Sequence, residues 1–291
     1  MPRGISLHVG INQVSSAFPN ATPLRGCQKD AEEMEKIAIA EGFEVHDVLL
    51  GSDATYARVT AKIRSAAAQL QQDDIFLFTF AGHGFQETDI GARDEEDRLD
   101  ETLLLFDVEL FDDVLRKDLW PRFEAGVRVL MISDCCHSGS NFLIPPEDPA
   151  DANLGANTNV KALLTDEFPV STPDRLSARV ISKATGRRHQ AEYGEFYRST
   201  LLPIFSPPIN ACLMLLAACE DDETTGDGEP NGIYTATMLR VLNDSNPPVD
   251  YDDLVQRIQT ALTEAGRTQT PTLKTAGSDH PTFRKQRPFT I

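Results

Sequence analysis

No stretch of this sequence approaches the roughly 18 consecutive apolar residues of a membrane helix. The one apolar run near the N-terminus, Ile5 to Ile11, is far too short for a signal-peptide core and its cleavage site. A cytoplasmic protein with no membrane partner is the expectation. Cysteine is scarce, and its pattern speaks against both a disulfide framework and a zinc knuckle. The 5 cysteines are odd in number, Cys135 and Cys136 are adjacent, and none of Cys27, Cys212 or Cys219 completes a CxxC pair. Reduced thiols are expected. Positive charge is also short: 27 Lys and Arg stand against 45 Asp and Glu, a formal charge of −18. That field disfavours a nucleic-acid or anionic-membrane partner and attracts cationic ligands. No phosphate-binding loop is present, because Gly82-His83-Gly84 lacks the further glycine of GxGxxG and the Lys of a P-loop. A nucleotide cofactor is therefore not expected. The GxSxG nucleophile elbow is missing as well, since Ser138 before Gly139 lacks the leading glycine.

What is there is an alternation of strand and helix patterns. Ile5 to Gly10 reads as a short strand, and Asp30 to Ala40 as a helix with Ala31, Met34, Ile37 and Ala38 at helical spacing before Gly42. Phe43 to Leu50 follows as a strand, Tyr56 to Leu70 as a helix, and Ile75 to Phe80 as a central parallel strand that is apolar on both faces. A short hairpin is expected near Leu103 to Asp107, a helix from Asp112 to Glu124 and a second buried strand over Val127 to Ile132. From Pro145 to Pro208 periodicity fades among Pro, Asn, Asp, Ser and Thr, as in a linker or insertion. Order returns with a third buried strand from Cys212 to Ala218 and helices near Tyr234 to Leu242 and Tyr251 to Ala265. This pattern implies an α/β fold, a three-layer α-β-α sandwich around a mostly parallel central sheet, whose ligands bind at the carboxyl ends of the strands.

Two of the buried strands run into residues that can react. Ile75 to Phe80 leads into Ala81-Gly82-His83-Gly84, and Val127 to Ile132 leads into Ser133-Asp134-Cys135-Cys136-His137-Ser138-Gly139. If the two strands are neighbours, about 4.8 Å apart, the imidazole of His83 reaches a thiol at the next strand end. Flanking glycines permit tight turns and close approach of a substrate backbone. A thiol with a free pKa near 8.5 needs a base, and an imidazole supplies one. The backbone N–H groups of Gly84 and Cys136 are the natural donors to the oxyanion of a tetrahedral intermediate. A Cys at a strand end is usually buried filler and a lone His usually an ordinary core or surface residue. It is the joint pattern, two matching strands each ending in a Gly-bracketed reactive residue, that points to His83 and Cys136. His137 ranks second as base, because a residue directly adjacent to the thiol in the chain points elsewhere. A metal site from His83, Cys135, Cys136 and His137 fits zinc poorly, since adjacent cysteines rarely share one ion.

At these residues the sequence resembles the metacaspases and their bacterial relatives among the caspase-like peptidases. Phe80-Ala81-Gly82-His83-Gly84 is similar to that family's catalytic His segment, and Asp134-Cys135-Cys136-His137-Ser138-Gly139 to its catalytic Cys segment, with Cys136 at the nucleophile position. Val9-Gly10-Ile11-Asn12, Leu24-Arg25-Gly26-Cys27-Gln28-Lys29-Asp30 and Ala218-Cys219-Glu220-Asp221-Asp222-Glu223-Thr224 resemble further family segments. The resemblance implies a caspase-like fold in which 1–143 is a large-subunit-like catalytic part, 144–205 a linker and 206–291 a small-subunit-like part of one domain. It implies that Asp134 and Asp30 line the first specificity pocket, with Cys27 and Ala81 as its walls. Two carboxylates select a cation; a desolvated pairing with Arg is worth about 2–4 kcal/mol. The alternative for Asp30 is an ordinary carboxylate at a helix N-terminus.

The resemblance extends to the acidic run Asp94 to Glu101 and to Asp112-Asp113, which are similar to the metacaspase calcium-binding region and imply Asp97, Asp100, Asp112 and Asp113 as ligands. The family's further acidic ligand after the catalytic Cys is missing, since Ser140 to Pro146 contains no carboxylate. A solvated acidic loop is the alternative. The resemblance further implies that Gly186-Arg187-Arg188-His189 is a dibasic processing site, cut by the enzyme itself or by an upstream activating protease, with a plain surface insertion as the alternative. The expectation is thus a cysteine endopeptidase acting on protein or peptide substrates after Arg or Lys. No cofactor is required for its chemistry, and calcium acts as a stimulant. No third residue is identified to orient His83, which leaves that role to a backbone carbonyl. The rivals are a catalytically silent scaffold or regulatory homologue and a metal-binding redox module.

Overall fold

The computed structural model describes residues 1–18, 21–88, 99–136, 207–220, 223–245 and 247–291, without the side chains of 86–88 and 99–100. The elements follow in the order β1 (Gly4–Gly10), α1 (Cys27–Ala40), β2 (Glu44–Leu50), α2 (Tyr56–Ala67), β3 (Ile75–Ala81), β4 (Gly84–Thr88), β5 (Leu99–Leu104), β6 (Glu109–Phe111), α3 (Asp112–Val114), β7 (Arg128–Asp134), β8 (Cys212–Ala217), α4 (Ile233–Asp244), α5 (Tyr251–Glu264) and β9 (Thr272–Gly277). The main sheet has the order β2-β1-β3-β7-β8-β9. Its first five strands are parallel, and β9 returns antiparallel to β8. A three-stranded antiparallel sheet, β4-β5-β6, stands apart from it.

The strands are central because their side chains are apolar on both faces. Every residue of β3 and of β7 is buried. On one face Ile5, Leu7, Val9, Phe76 and Phe78 pack with Val59 and Ile63 of α2 and with Trp120 and Phe123. On the other, Ile75, Leu77, Leu130 and Ile132 meet Met34 and Ala38 of α1, Tyr234 and Met238 of α4, and Leu254 and Ile258 of α5. Each such large apolar side chain contributes about 1.5–3 kcal/mol when fully buried. The expected α/β sandwich with helices on both faces is therefore what the chain builds.

One expected element differs. The helix predicted over Asp112 to Glu124 is α3 for a single turn, then a π turn at Leu115–Leu119 and a 3-10 turn at Trp120–Arg122. Pro121, inside the last of these, has no N–H for an α-helical ladder. Val114, Leu115, Leu119, Trp120 and Phe123 must also all reach one core, and widening the turn lets them. The strand β9 carries no clear sequence pattern, because it is a half-exposed edge. The linker expected at 144–205 lies outside the described residues. Since β8 pairs with β7, the parts on either side of that linker share one sheet. No helix among the described residues is long and apolar enough to cross a membrane.

Strand ends define where a ligand can meet the fold. Gly10 of β1 pairs with Ala81 of β3, and Ala81 with Asp134 of β7, forming one terminal rung across three strands. Helix α1 is laid directly on that rung: a Cβ added to Gly10 would stand 2.4 Å from the carbonyl oxygen of Cys27 and 2.8 Å from Cα of Gln28. Only glycine permits that approach.

Candidate active site

The candidate site grows out of the terminal rung. His83 and Cys136 each stand two residues past a member of the Ala81–Asp134 pair, on neighbouring parallel strands. The N–H of Gly82 donates to the carbonyl of Asp134 at 3.4 Å, so the chains stay together one step beyond the strands. At the next step they touch: a Cβ on Gly84 would lie 2.0 Å from the carbonyl oxygen of Cys136. The Gly84 position, expected from sequence to serve a turn, is thus also the contact between the histidine and cysteine segments.

His83 is buried, and its Nε2 lies 2.8 Å from the carbonyl oxygen of Thr22. A carbonyl only accepts, so Nε2 carries the proton and Nδ1 is the basic nitrogen of the neutral ring. The backbone carbonyl that faces the ring is thus that of Thr22. A residue that contributes only its main chain leaves no side-chain signal in a sequence.

The adjacent cysteines part company. Cys135 belongs to the apolar core on the α2 side of the sheet, with its Sγ 3.3 Å from Oγ of Ser133. Cys136 turns the other way, toward the segment after β8. Its Sγ accepts from the backbone N–H of Thr225 at 3.3 Å and lies 3.7 Å from the Thr225 carbonyl oxygen. Both thiols are fully buried. Thr225, like Thr22, acts through its backbone and was not identified from sequence.

The four residues expected to form a specificity pocket come together around the N-terminus of α4. Cys27 and Ala81 form a small apolar cluster with Leu24. Asp30 accepts from the N–H of Gly232 at 2.9 Å and from the Asn231 side-chain amide at 3.0 Å. Asp134 accepts at one oxygen from the N–H of Thr235 at 3.1 Å and from its hydroxyl at 2.7 Å. Both carboxylates thus face the positive end of α4, which stabilises their charge. Asp30 lies in the first turn of its own helix α1, and its carboxylate also receives the N–H that precedes α4. A third carboxylate that sequence reasoning passed over, Asp227, accepts from the N–H groups of Arg25 at 2.7 Å and Gly26 at 3.1 Å. It ties the start of α1 to the segment that follows β8.

The residues implied as calcium ligands are only partly in view. Asp112 and Asp113 are buried, and Asp113 pairs with Arg116 and, at 2.9 Å, with Lys117. Its charge is neutralised by two cations of its own helical segment. Asp97 and the side chain of Asp100 lie outside the described residues, as do Arg187 and Arg188 of the expected processing site. Among the described residues no group of three or more His, Cys, Asp or Glu is arranged to hold a metal ion.

Comparison with known proteins adds a family to this geometry. The caspase domain profile matches residues 3–281. Metacaspase-1 of Candida albicans is 26% identical over 95% of this chain and 65% of its own length, and Metacaspase-1 of Lodderomyces elongisporus 27% identical over 88% and 61%. The chain spans less than two thirds of the length of these relatives. A crystal structure of a protein from Geobacter sulfurreducens superimposes with a TM-score of 0.78 at 34% identity, covering 100% of this chain and 99% of that one. Caspase-1 from Spodoptera frugiperda shares the fold, with a TM-score of 0.53 at 12% identity over 94% of this chain and 86% of its own.

Proposed function

Since this chain belongs to the caspase-domain family, we propose that it is a cysteine endopeptidase that cleaves after Arg or Lys, with Cys136 as nucleophile and His83 as its base. The observation that carries the proposal is the matched position of the two residues, each two steps past the Ala81–Asp134 rung, with Nε2 of His83 held on the Thr22 carbonyl. That tautomer leaves Nδ1 to take the thiol proton. The thiolate attacks the scissile carbonyl, and the oxyanion is received by the N–H groups of Gly84 and Cys136. The imidazolium returns its proton to the leaving amine as the C–N bond breaks, leaving a thioester. Water activated by the same imidazole then hydrolyses the thioester and frees Cys136.

The preference for a basic residue is supported by Asp30 and Asp134, two buried carboxylates, with Cys27, on the same helix turn as Asp30, and Ala81, paired with Asp134, clustering as apolar wall. A guanidinium fits paired carboxylates through charge-assisted, bidentate hydrogen bonds. We extend the proposal to calcium stimulation through Asp97, Asp100, Asp112 and Asp113. As packed here Asp113 is bound to Arg116 and Lys117, so calcium would have to compete with both. Cleavage at Arg187-Arg188, by the enzyme itself or by an upstream protease, completes the proposal. Its setting is the cytoplasm, in keeping with 5 free cysteines.

The test is hydrolysis of coumarin peptides ending in Arg, Lys or Asp, with calcium supplied or chelated. Arg and Lys peptides are expected to be cut and the Asp peptide left intact, and Cys136→Ala and His83→Ala to lower kcat by at least about a hundredfold. Activity on none of the peptides with either metal condition supports a silent scaffold instead. A gel on which Arg187→Ala/Arg188→Ala is cut as the parent is would remove the processing site alone.

A further inference from the structure

The Cys136 sulfur faces the backbone of Thr225, whose N–H and carbonyl belong to successive peptide groups and have opposite effects on it. An N–H donated to sulfur stabilises the thiolate, whereas a carbonyl facing it favours the protonated thiol. The N–H stands at 3.3 Å and the carbonyl oxygen at 3.7 Å. A small change in the backbone torsions of Thr225 would exchange their ranking, so whatever fixes the conformation of this residue sets the reactivity of the thiol.

Thr225 is fully buried, and its fixing comes from protein groups. The side-chain amide of Gln269, itself 4% exposed, donates to Oγ1 of Thr225 at 3.1 Å and to the carbonyl of Ala218 at 3.0 Å. The Ala218 carbonyl can only accept, which settles which end of the amide carries the N–H groups. Ala218 directly follows β8, and its own N–H donates to the carbonyl of Ser133 in β7. Gln269 therefore hooks Thr225 onto the strand pair that carries Cys136. A second tie lies beside it: the Glu223 carboxylate accepts from the N–H of Thr270 at 2.5 Å and from its hydroxyl at 2.8 Å.

We propose that Gln269 is a positioning residue for the nucleophile, its amide holding Thr225 so that the backbone N–H of that residue, and not its carbonyl, is the nearer group to the Cys136 sulfur. The inference rests on Cys136 being the nucleophile. It concerns a residue far along the chain, in the segment leading into β9, that touches neither substrate nor thiol.

The experiment removes one hydrogen bond from both ends. Gln269→Met keeps the length of the side chain without its N–H groups, and Thr225→Val keeps the backbone N–H without the hydroxyl. Alkylation of Cys136 by iodoacetamide is followed across pH by mass spectrometry of its peptide, alongside kcat and KM on an Arg-coumarin peptide. Each single variant is expected to move the alkylation midpoint, which belongs to the thiol and imidazole together, to higher pH. Each should lower kcat about tenfold with KM within about twofold of the parent. The double variant should be no worse than either single, because both break one link. An unchanged midpoint in a variant with parental circular dichroism overturns the proposal, and so do effects that multiply in the double. If Gln269→Met fails to fold, Thr225→Val decides by the same readouts. Full activity in Cys136→Ala would sink the nucleophile reading beneath it. An inactive Cys136→Ala with parental alkylation in Thr225→Val sinks only the role of Gln269.

Discussion

At the scale of single residues, side chains with a chemical signature were legible and main-chain partners were not. His83 and Cys136 were identified by their Gly-bracketed strand ends, whereas Thr22 and Thr225 contribute a backbone carbonyl and a backbone N–H that almost any residue type would supply. Asp134 shows how one residue can carry two duties. Its carboxylate receives the N–H and hydroxyl of Thr235 at the start of α4, and on the proposed function it also receives the substrate cation. The two separate in Asp134→Asn, which keeps a carbonyl-type acceptor for Thr235 but loses the charge. This variant is expected to fold with a stability loss of about 1 kcal/mol or less, while kcat/KM for Arg peptides falls by about a hundredfold. Urea unfolding and peptide hydrolysis check the two halves. A variant that folds normally and keeps parental kcat/KM for Arg would remove Asp134 from the pocket.

At the scale of elements, periodicity gave the helices and the continuous apolar runs gave the central strands, because α1, α2, α4 and α5 each bury one face and β3 and β7 bury both. The break at 112–122 was not legible, since Pro121 and the crowd of apolar residues around it only compete with helical spacing once the core they share is known. The seating of α1 was also hidden. It depends on Gly10, where a Cβ would collide with the carbonyl of Cys27 and with Cα of Gln28, both of them backbone and unable to swing aside. Gly10→Ala must therefore push the first turn of α1 off the sheet, at a cost of about 1–3 kcal/mol. Cys27 and Asp30 ride on that turn. The expected outcome is a lower Tm together with a KM for Arg peptides raised several-fold, and a parental KM would show that α1 does not position the pocket.

At the scale of the whole molecule, chain length and the β-α alternation sufficed for the three layers. The polar residue built into their middle was not foreseen. His8 lies on β1 within the sheet, with Nδ1 2.9 Å from Oγ1 of Thr79 and Nε2 3.0 Å from Oγ of Ser6. Burial lowers its pKa from 6.5 to about 3. Between those two values the unfolded chain binds a proton at this site that the folded chain refuses, so the stability contributed here is complete above about pH 6.5. It is lost as pH falls, by up to about 1.4 kcal/mol per pH unit, until the loss levels off near pH 3. With the sheet stacked between two helical layers, water cannot relieve a charge on the ring, and the loss must appear as global unfolding and not as local fraying. Urea denaturation at pH 7, 6, 5 and 4 of the parent and of His8→Gln isolates the term. Stability of the parent should fall more steeply with acid than that of His8→Gln, by about 1 kcal/mol per unit below pH 6. Parallel curves for the two proteins would mean that the ring is protonated in the folded state, contrary to its burial among Ser6, Thr79 and the apolar strands.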